Sequence, residues 1–193
     1  MIPFNHLGWF FNAFGTSVYP AGVVEELCEA LQELPGNAAL LDIGAGTGVM
    51  SHYARRCRGD LECTAADPAE GMLRYVPRGI RTVKARAEAL PFEDRRFDAV
   101  VMGEALHHFD DPTAALGEIA RVLTAGGLLF VYEFDPATLP GRCLRSAETL
   151  LGEPGHFYTP AALRAMLEPH GFSVRVSRHG WRYSLVARLS ERL

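Results

Sequence analysis

The run Leu40-Leu41-Asp42-Ile43-Gly44-Ala45-Gly46-Thr47-Gly48 constrains this chain more than any other stretch. Apolar residues interrupted by one acid read as a buried strand, and three glycines at alternating positions follow it. Glycine there lets the backbone turn sharply and lets a ligand approach atoms that a Cβ would shield. A helix is expected from about Thr47, so its unpaired N–H groups would point into the same turn. The combination predicts a cradle for a nucleotide-type cofactor.

The spacing separates two kinds of ligand. A dinucleotide fingerprint, G-x-G-x-x-G, needs glycine where this chain has Val49. Asp42 stands two residues before the first glycine, in a strand end where an unpaired carboxylate is costly. It makes sense opposite a cationic or hydrogen-bond-donating ligand group. Next, Leu61–Ala66 reads as a second strand ending in Asp67-Pro68. That acid falls about 20 residues beyond the glycine turn, where nucleotide-binding folds place the carboxylate that takes ribose hydroxyls. The plainer reading of Asp67 is a helix cap.

Two further segments follow: Ala87-Glu88-Ala89-Leu90-Pro91-Phe92 with Phe97-Asp98-Ala99-Val100-Val101, and Arg121-Val122-Leu123-Thr124-Ala125-Gly126-Gly127. Together with the glycine turn and Asp67, they resemble the ordered motifs of class I S-adenosylmethionine-dependent methyltransferases. The branch is the small-molecule one that includes the ubiquinone and menaquinone biosynthesis enzymes. The resemblance is strong from Leu40 to Glu133. It implies a Rossmann-like, doubly wound α/β fold whose mostly parallel seven-stranded sheet ends in an antiparallel C-terminal hairpin. It also implies S-adenosyl-L-methionine as cofactor and in-line methyl transfer to a small-molecule acceptor. By the same resemblance, Asp42 and the Gly44-Ala45-Gly46 turn hold the methionine half and Asp67-Pro68 the ribose. Arg86-Ala87-Glu88 border the adenine, and Gly103 lies near the transferring methyl. Two positions depart from the pattern. Arg86 replaces the aspartate of many relatives, removing a side-chain acceptor for the adenine amine, and Ala125 replaces the usual proline.

Composition narrows the partners. The chain has 193 residues, 48% hydrophobic, with net charge −4. That suits a single domain, 1–193, built on a sheet covered on both faces. No lysine–arginine cluster exceeds the pairs Arg55-Arg56 and Arg95-Arg96, which disfavours a nucleic-acid acceptor. Cys28, Cys57, Cys63 and Cys143 form no C-x-x-C pair, so neither a metal site nor a disulfide framework is indicated. Buried reduced thiols and a soluble, cytoplasmic protein are the expectation. Neither an 18-residue apolar stretch nor a signal-peptide start is present, so membrane insertion is not expected.

Alternating patterns predict strands at Ala38–Ile43, Leu61–Ala66, Ile80–Lys84, Phe97–Met102 and Leu128–Glu133. Helices are predicted at Gly22–Leu34, Thr47–Cys57, Glu70–Tyr75 and Thr113–Val122. Residues 134–158 read as an irregular cap insertion, helical around Arg142–Leu151. Pro160–His170 reads as a helix, and Phe172–Ser177 and Trp181–Leu189 as an antiparallel hairpin turning at Gly180. Residues 1–19 are unusually aromatic. Their Phe4-to-Asn12 stretch resembles the family's lid opening, with Phe11 and Asn12 where relatives carry tyrosine and aspartate.

Methyl transfer from a sulfonium needs alignment and exclusion of water above all. A base is needed only where the acceptor must lose a proton. Glu104, His107 and His108 follow the fourth strand, and His107 is the favoured base of the two histidines, since adjacent helical residues diverge by about 100°. The acceptor pocket is expected to be roofed by Phe10 and Phe11, walled by residues 134–158 up to Tyr158, and supplied with polar contacts by Glu104 and His107. A nicotinamide-dependent oxidoreductase and a non-catalytic cofactor-binding module are the alternatives.

Overall fold

Seven strands form one sheet in the order β3-β2-β1-β4-β5-β7-β6. They are β1 (Ala39–Ile43), β2 (Glu62–Asp67), β3 (Arg81–Lys84), β4 (Phe97–Gly103), β5 (Leu123–Phe134), β6 (Phe172–His179) and β7 (Arg182–Leu189). The structure is a computed structural model and describes residues 19–150 and 155–191. Strands β1 to β5 run parallel to their neighbours, while β7 pairs antiparallel with both β5 and β6. The expected architecture is present.

The sequence alternation builds two cores. Leu41, Ile43, Val100, Met102, Leu129 and Val131 point to one face. Their strand neighbours Leu40, Ala99, Val101, Leu128, Phe130 and Tyr132 point to the other. Because both sets are apolar, helices must cover both sides. On the first face lie Leu116 and Ile119 of α4 (Pro112–Val122) and Leu163 of α6 (Pro160–Leu167). On the second lie Leu27 and Leu31 of α1 (Ala21–Gln32) and Met50 and Ala54 of α2 (Val49–Cys57). The one-turn α3 (Glu70–Leu73) and α5 (Leu139–Leu150) complete the set among the described residues.

Several boundaries differ from expectation for local reasons. α2 begins at Val49, because Gly48 takes φ +79°, outside the helical region. β5 starts five residues early: Phe97 pairs with Leu123 and Ala99 with Leu128, so the intervening residues bulge, with Gly126 at φ +75°. α5 starts at Leu139, three residues before the expected Arg142, since Pro140 falls in the first turn, where its missing N–H costs no bond. The 134–158 stretch is therefore more regular than its proline and glycine content suggests. The helix after Pro160 tightens to a 3₁₀ turn at Glu168–His170.

The cysteine expectation is corrected. Cys28 on α1 and Cys57 at the end of α2 form a disulfide, with Cα atoms 5.0 Å apart, and Cys143 is exposed. Spacing along the chain hid the pair, because the two helices meet only once both pack on the same face of the sheet. The disulfide also removes the support that reduced thiols lent to a cytoplasmic location. Among the described residues, no helix is long and apolar enough to cross a membrane. Alkylation of the denatured, unreduced protein should label two of its four cysteines, Cys63 and Cys143. Closing a loop over a sequence separation of 29 stabilises by about 3–4 kcal/mol in a chain-entropy treatment. Denaturant unfolding with and without reductant should show a loss of that size, and labelling of all four cysteines would contradict the bridge.

Candidate functional site

Strand order reverses on either side of β1, and a crevice opens beyond the carboxyl ends of β1, β2 and β4. It holds a cavity of about 320 Å³. Residues from distant parts of the chain converge on it. Asp42, Gly44, Ala45 and Gly46 come from the first strand and turn, and Asp67 and Pro68 from the end of β2. Arg86, Ala87 and Glu88 come from the segment after β3, and Gly103 and Glu104 from the end of β4.

The glycine turn is pinned by two aspartates. Asp67 Oδ2 accepts the Gly46 N–H at 2.8 Å, and its Oδ1 accepts the Ala69 N–H at 2.7 Å. Asp67 is thus a turn cap that also faces the cavity, and each oxygen keeps a second lone pair. Burial raises its carboxyl above the ordinary range, with the two N–H bonds opposing. Asp42 Oδ2 accepts both the backbone N–H (2.9 Å) and the hydroxyl (2.6 Å) of Ser51, in the first turn of α2. Asp42 was expected to face a ligand. It lines the cavity floor, but one oxygen is committed to capping the helix from the neighbouring strand. Gly44 permits a second close approach, from the segment after β4: at φ +64° its added Cβ would lie 2.5 Å from the Ala105 Cβ.

At the far end, Arg86 pairs with Asp110 and, at 3.4 Å, with Glu88. Glu88 Oε1 also accepts the Asp110 N–H at 2.9 Å. Asp110 lines the cavity, so a carboxylate reaches this end from another loop, in spite of the arginine at position 86.

The structure buries His107, the candidate base, and leaves His108 at the cavity. Leu106–His108 is a 3₁₀ turn, in which successive side chains diverge by about 120°. Leu106 enters the core and His107 (2% exposed) points to β5, so His108 is left at the cavity. His107 Nδ1 lies 2.8 Å from Glu133 Oε2, and Phe157 stacks on the ring at 4.9 Å. The remaining Glu133 oxygen accepts the Leu106 N–H at 2.8 Å. Crowding by protein and the neighbouring His107 imidazole hold His108 down to about 4, against an opposing pull from Glu133.

Glu104 faces the cavity at φ +52°, and its Oε1 lies 3.0 Å from Nε of Arg182. Tyr158 is turned away: it packs on the α4 side of the core and its carbonyl accepts the Tyr183 hydroxyl at 2.9 Å. Among the described residues, the 134–158 stretch lines none of the cavity. It reaches the site indirectly, where Phe157 stacks on His107 and His156 donates its N–H to the His107 carbonyl at 2.7 Å. Phe10 and Phe11 lie outside the described residues. Tyr19, the last residue of the aromatic segment 1–19, lines the cavity, and sequence reasoning missed Met72 and Asp110. Of these two, Asp110 carried a signal, in the Asp110-Asp111-Pro112 run that opens α4.

The Methyltransferase domain family matches residues 41–131. The demethylmenaquinone methyltransferase of Mycobacterium sp. strain KMS is 34% identical over 169 residues, 81% of this chain and 72% of the relative. That of Thermus thermophilus is also 34% identical, over 76% and 78%. The YcgJ protein of Bacillus subtilis superposes with a TM-score of 0.75 at 17% identity, covering 90% of this chain and all of that one. The chain belongs to the class I S-adenosylmethionine-dependent methyltransferases. Within them it is similar to the menaquinone and ubiquinone methyltransferases. The nicotinamide and non-catalytic alternatives are set aside.

Burial pushes the Asp42 carboxyl up to about 7, with the Ser51 bonds opposing and Asp67 adding to the rise. A folded-state value above the unfolded one means stability is fullest at low pH and is lost as pH rises through about 7. Asp42→Asn removes that loss. The melting free energy of this variant relative to wild type should therefore rise between pH 5 and pH 8, by up to about 3 kcal/mol. A pH-independent difference would contradict the assignment.

Proposed function

We propose that the cavity binds S-adenosyl-L-methionine and that methyl transfer occurs at its Gly103 end, to a small and largely apolar acceptor. The supporting observation is the convergence of all the expected cofactor-binding residues on one cavity at the sheet's switch point. The donor set fits the cofactor. The Gly44–Gly46 turn offers backbone that a Cβ would cover, and Asp67 offers carboxylate lone pairs for ribose hydroxyls. Asp42 adds an acid below a cationic ligand group, and Ala87 and Glu88 border the adenine end.

When bound, the cofactor supplies a methyl group already activated on a sulfonium. The chain's own work is to orient and to exclude water. Tyr19 and Met50 crowd the face of Gly103, where a Cβ would collide with both. Glu104, held by Arg182, supplies a fixed carboxylate beside the acceptor. Residues 1–19, with Phe10 and Phe11, act as the lid, and demethylmenaquinone, named in the Mycobacterium and Thermus relatives, is the first acceptor to assay.

Calorimetry should detect binding of S-adenosylmethionine and of its demethylated product, and none of NAD; the reverse preference would sink the reading. Asp67→Ala should weaken both ligands by about 1–3 kcal/mol, the cost of leaving ribose hydroxyls short of partners. Unchanged affinity would reduce Asp67 to a turn cap. Deleting residues 1–19 should leave the fold intact and cofactor affinity only modestly reduced, while turnover is lost. Full activity of the shortened chain would remove the lid.

A further inference from the structure

Two histidines and a glutamate form a connected row from β5 to the cavity. Glu133 holds His107 Nδ1 at 2.8 Å and, through its other oxygen, the Leu106 backbone at 2.8 Å. An ionised carboxylate only accepts, so Nδ1 of His107 carries the hydrogen. Phe157 and Phe134 pack on the His107 ring, at 4.9 and 5.5 Å between centroids. The ring of His107 then meets that of His108 at 4.0 Å. His107 is thus fixed on several sides, and its contact with His108 is fixed with it. His108 opens on the same cavity as Gly103 and Glu104.

We propose that His108 takes the proton released by the acceptor, that His107 and Glu133 are its positioning residues, and that the acceptor atom carries a hydrogen when it binds. This rests on the cofactor reading above. The acceptor class is then a hydroxyl, a phenol, a primary or secondary amine, a thiol or an activated C–H. A thioether or a tertiary amine is excluded. The acceptor's electron pair forms the bond to the methyl carbon as the carbon–sulfur bond breaks, and that bond's electrons remain on sulfur as a neutral thioether. The acceptor's proton passes to a ring nitrogen of His108 and from there to water.

The electrostatics suit this order of events. With its ordinary value lowered to about 4, His108 is neutral near pH 7, so a ring nitrogen can accept. The charged or titratable groups about it are His107 on its own turn, Glu133 on β5, and Glu104, Glu88, Arg86, Asp110, Asp42, Asp67 and Tyr19 around the cavity. A sulfonium nearby disfavours a second positive charge. Transfer removes the sulfonium charge, so His108 becomes more basic as the proton arrives.

The proposal requires position 108 to face the sulfonium, and a charge probe tests that without an acceptor. Dissociation constants for S-adenosylmethionine and its neutral demethylated product are measured by calorimetry at pH 7.5, on wild type, His108→Gln and His108→Lys. The two ligands differ by a methyl and one charge, so general damage to the fold cancels in their ratio. His108→Lys should weaken the sulfonium ligand about tenfold more than the thioether, the effect of one like charge in a partly screened site. His108→Gln should leave the ratio at its wild-type value. Tight binding of both ligands with a ratio that the lysine does not move overturns the assignment, whereas loss of both ligands in the wild type would overturn the cofactor reading instead. Turnover of an acceptor with no proton to lose, at a rate unchanged by His108→Gln, also overturns it.

Discussion

Asp42 is buried at the end of β1 and spends one oxygen on two bonds to Ser51. Those bonds fasten the first turn of α2 to the central strand, and Asp67 fastens Gly46 to the end of β2 from the other side. Between them the glycine turn has little freedom. A loop that would otherwise sample many conformations is already shaped for a ligand, so less ordering remains to be done on binding. The cost is a carboxylate in a desolvated place, which the Ser51 donors only partly offset. The cavity's remaining walls are attached to strands that register against β1, so their positions follow from the same anchor.

What could be read from the sequence was local and periodic. The glycine spacing, the alternation in β4 and β5 and the acid after β2 each rest on short-range backbone and burial rules, and they led to the right sheet and to the motif residues that converge on one cavity. What escaped depended on contacts between distant segments. The Cys28–Cys57 bridge needs two helices to meet on one face. That His108 rather than His107 faces the cavity came from a turn tighter than an α-helix, which a pattern of two adjacent histidines does not disclose. Tyr158 looked available for a pocket until Tyr183, 25 positions later, took its carbonyl.

The end of the sheet past β4 behaves differently from the motif side. Glu104 in a left-handed backbone conformation, Arg182 over the rings of Trp181 and Phe134, and the Glu133–His107 pair make a densely charged, aromatic neighbourhood. Non-glycine residues in that region of backbone space cost about 1–3 kcal/mol and persist where the surroundings hold them. The motif side carries the glycine turn and its aspartates, and this side adds contacts from the C-terminal hairpin, where Arg182 of β7 reaches Glu104.

Glu26, on the first helix, accepts hydrogen bonds from Ser177 and Ser184 near the far end of the chain. β7, the last strand in sequence, also sits between β5 and β6. During synthesis, α1 emerges early with an acid whose partners have not been made, and β5 presents an open edge until β7 arrives. The newborn chain thus carries an unpaired strand edge, a template for association with other chains, from the time β5 is made until β7 follows. The β6–β7 hairpin acts as the closing stitch, and a chain interrupted before β7 lacks the seam that joins α1 and β5 to it.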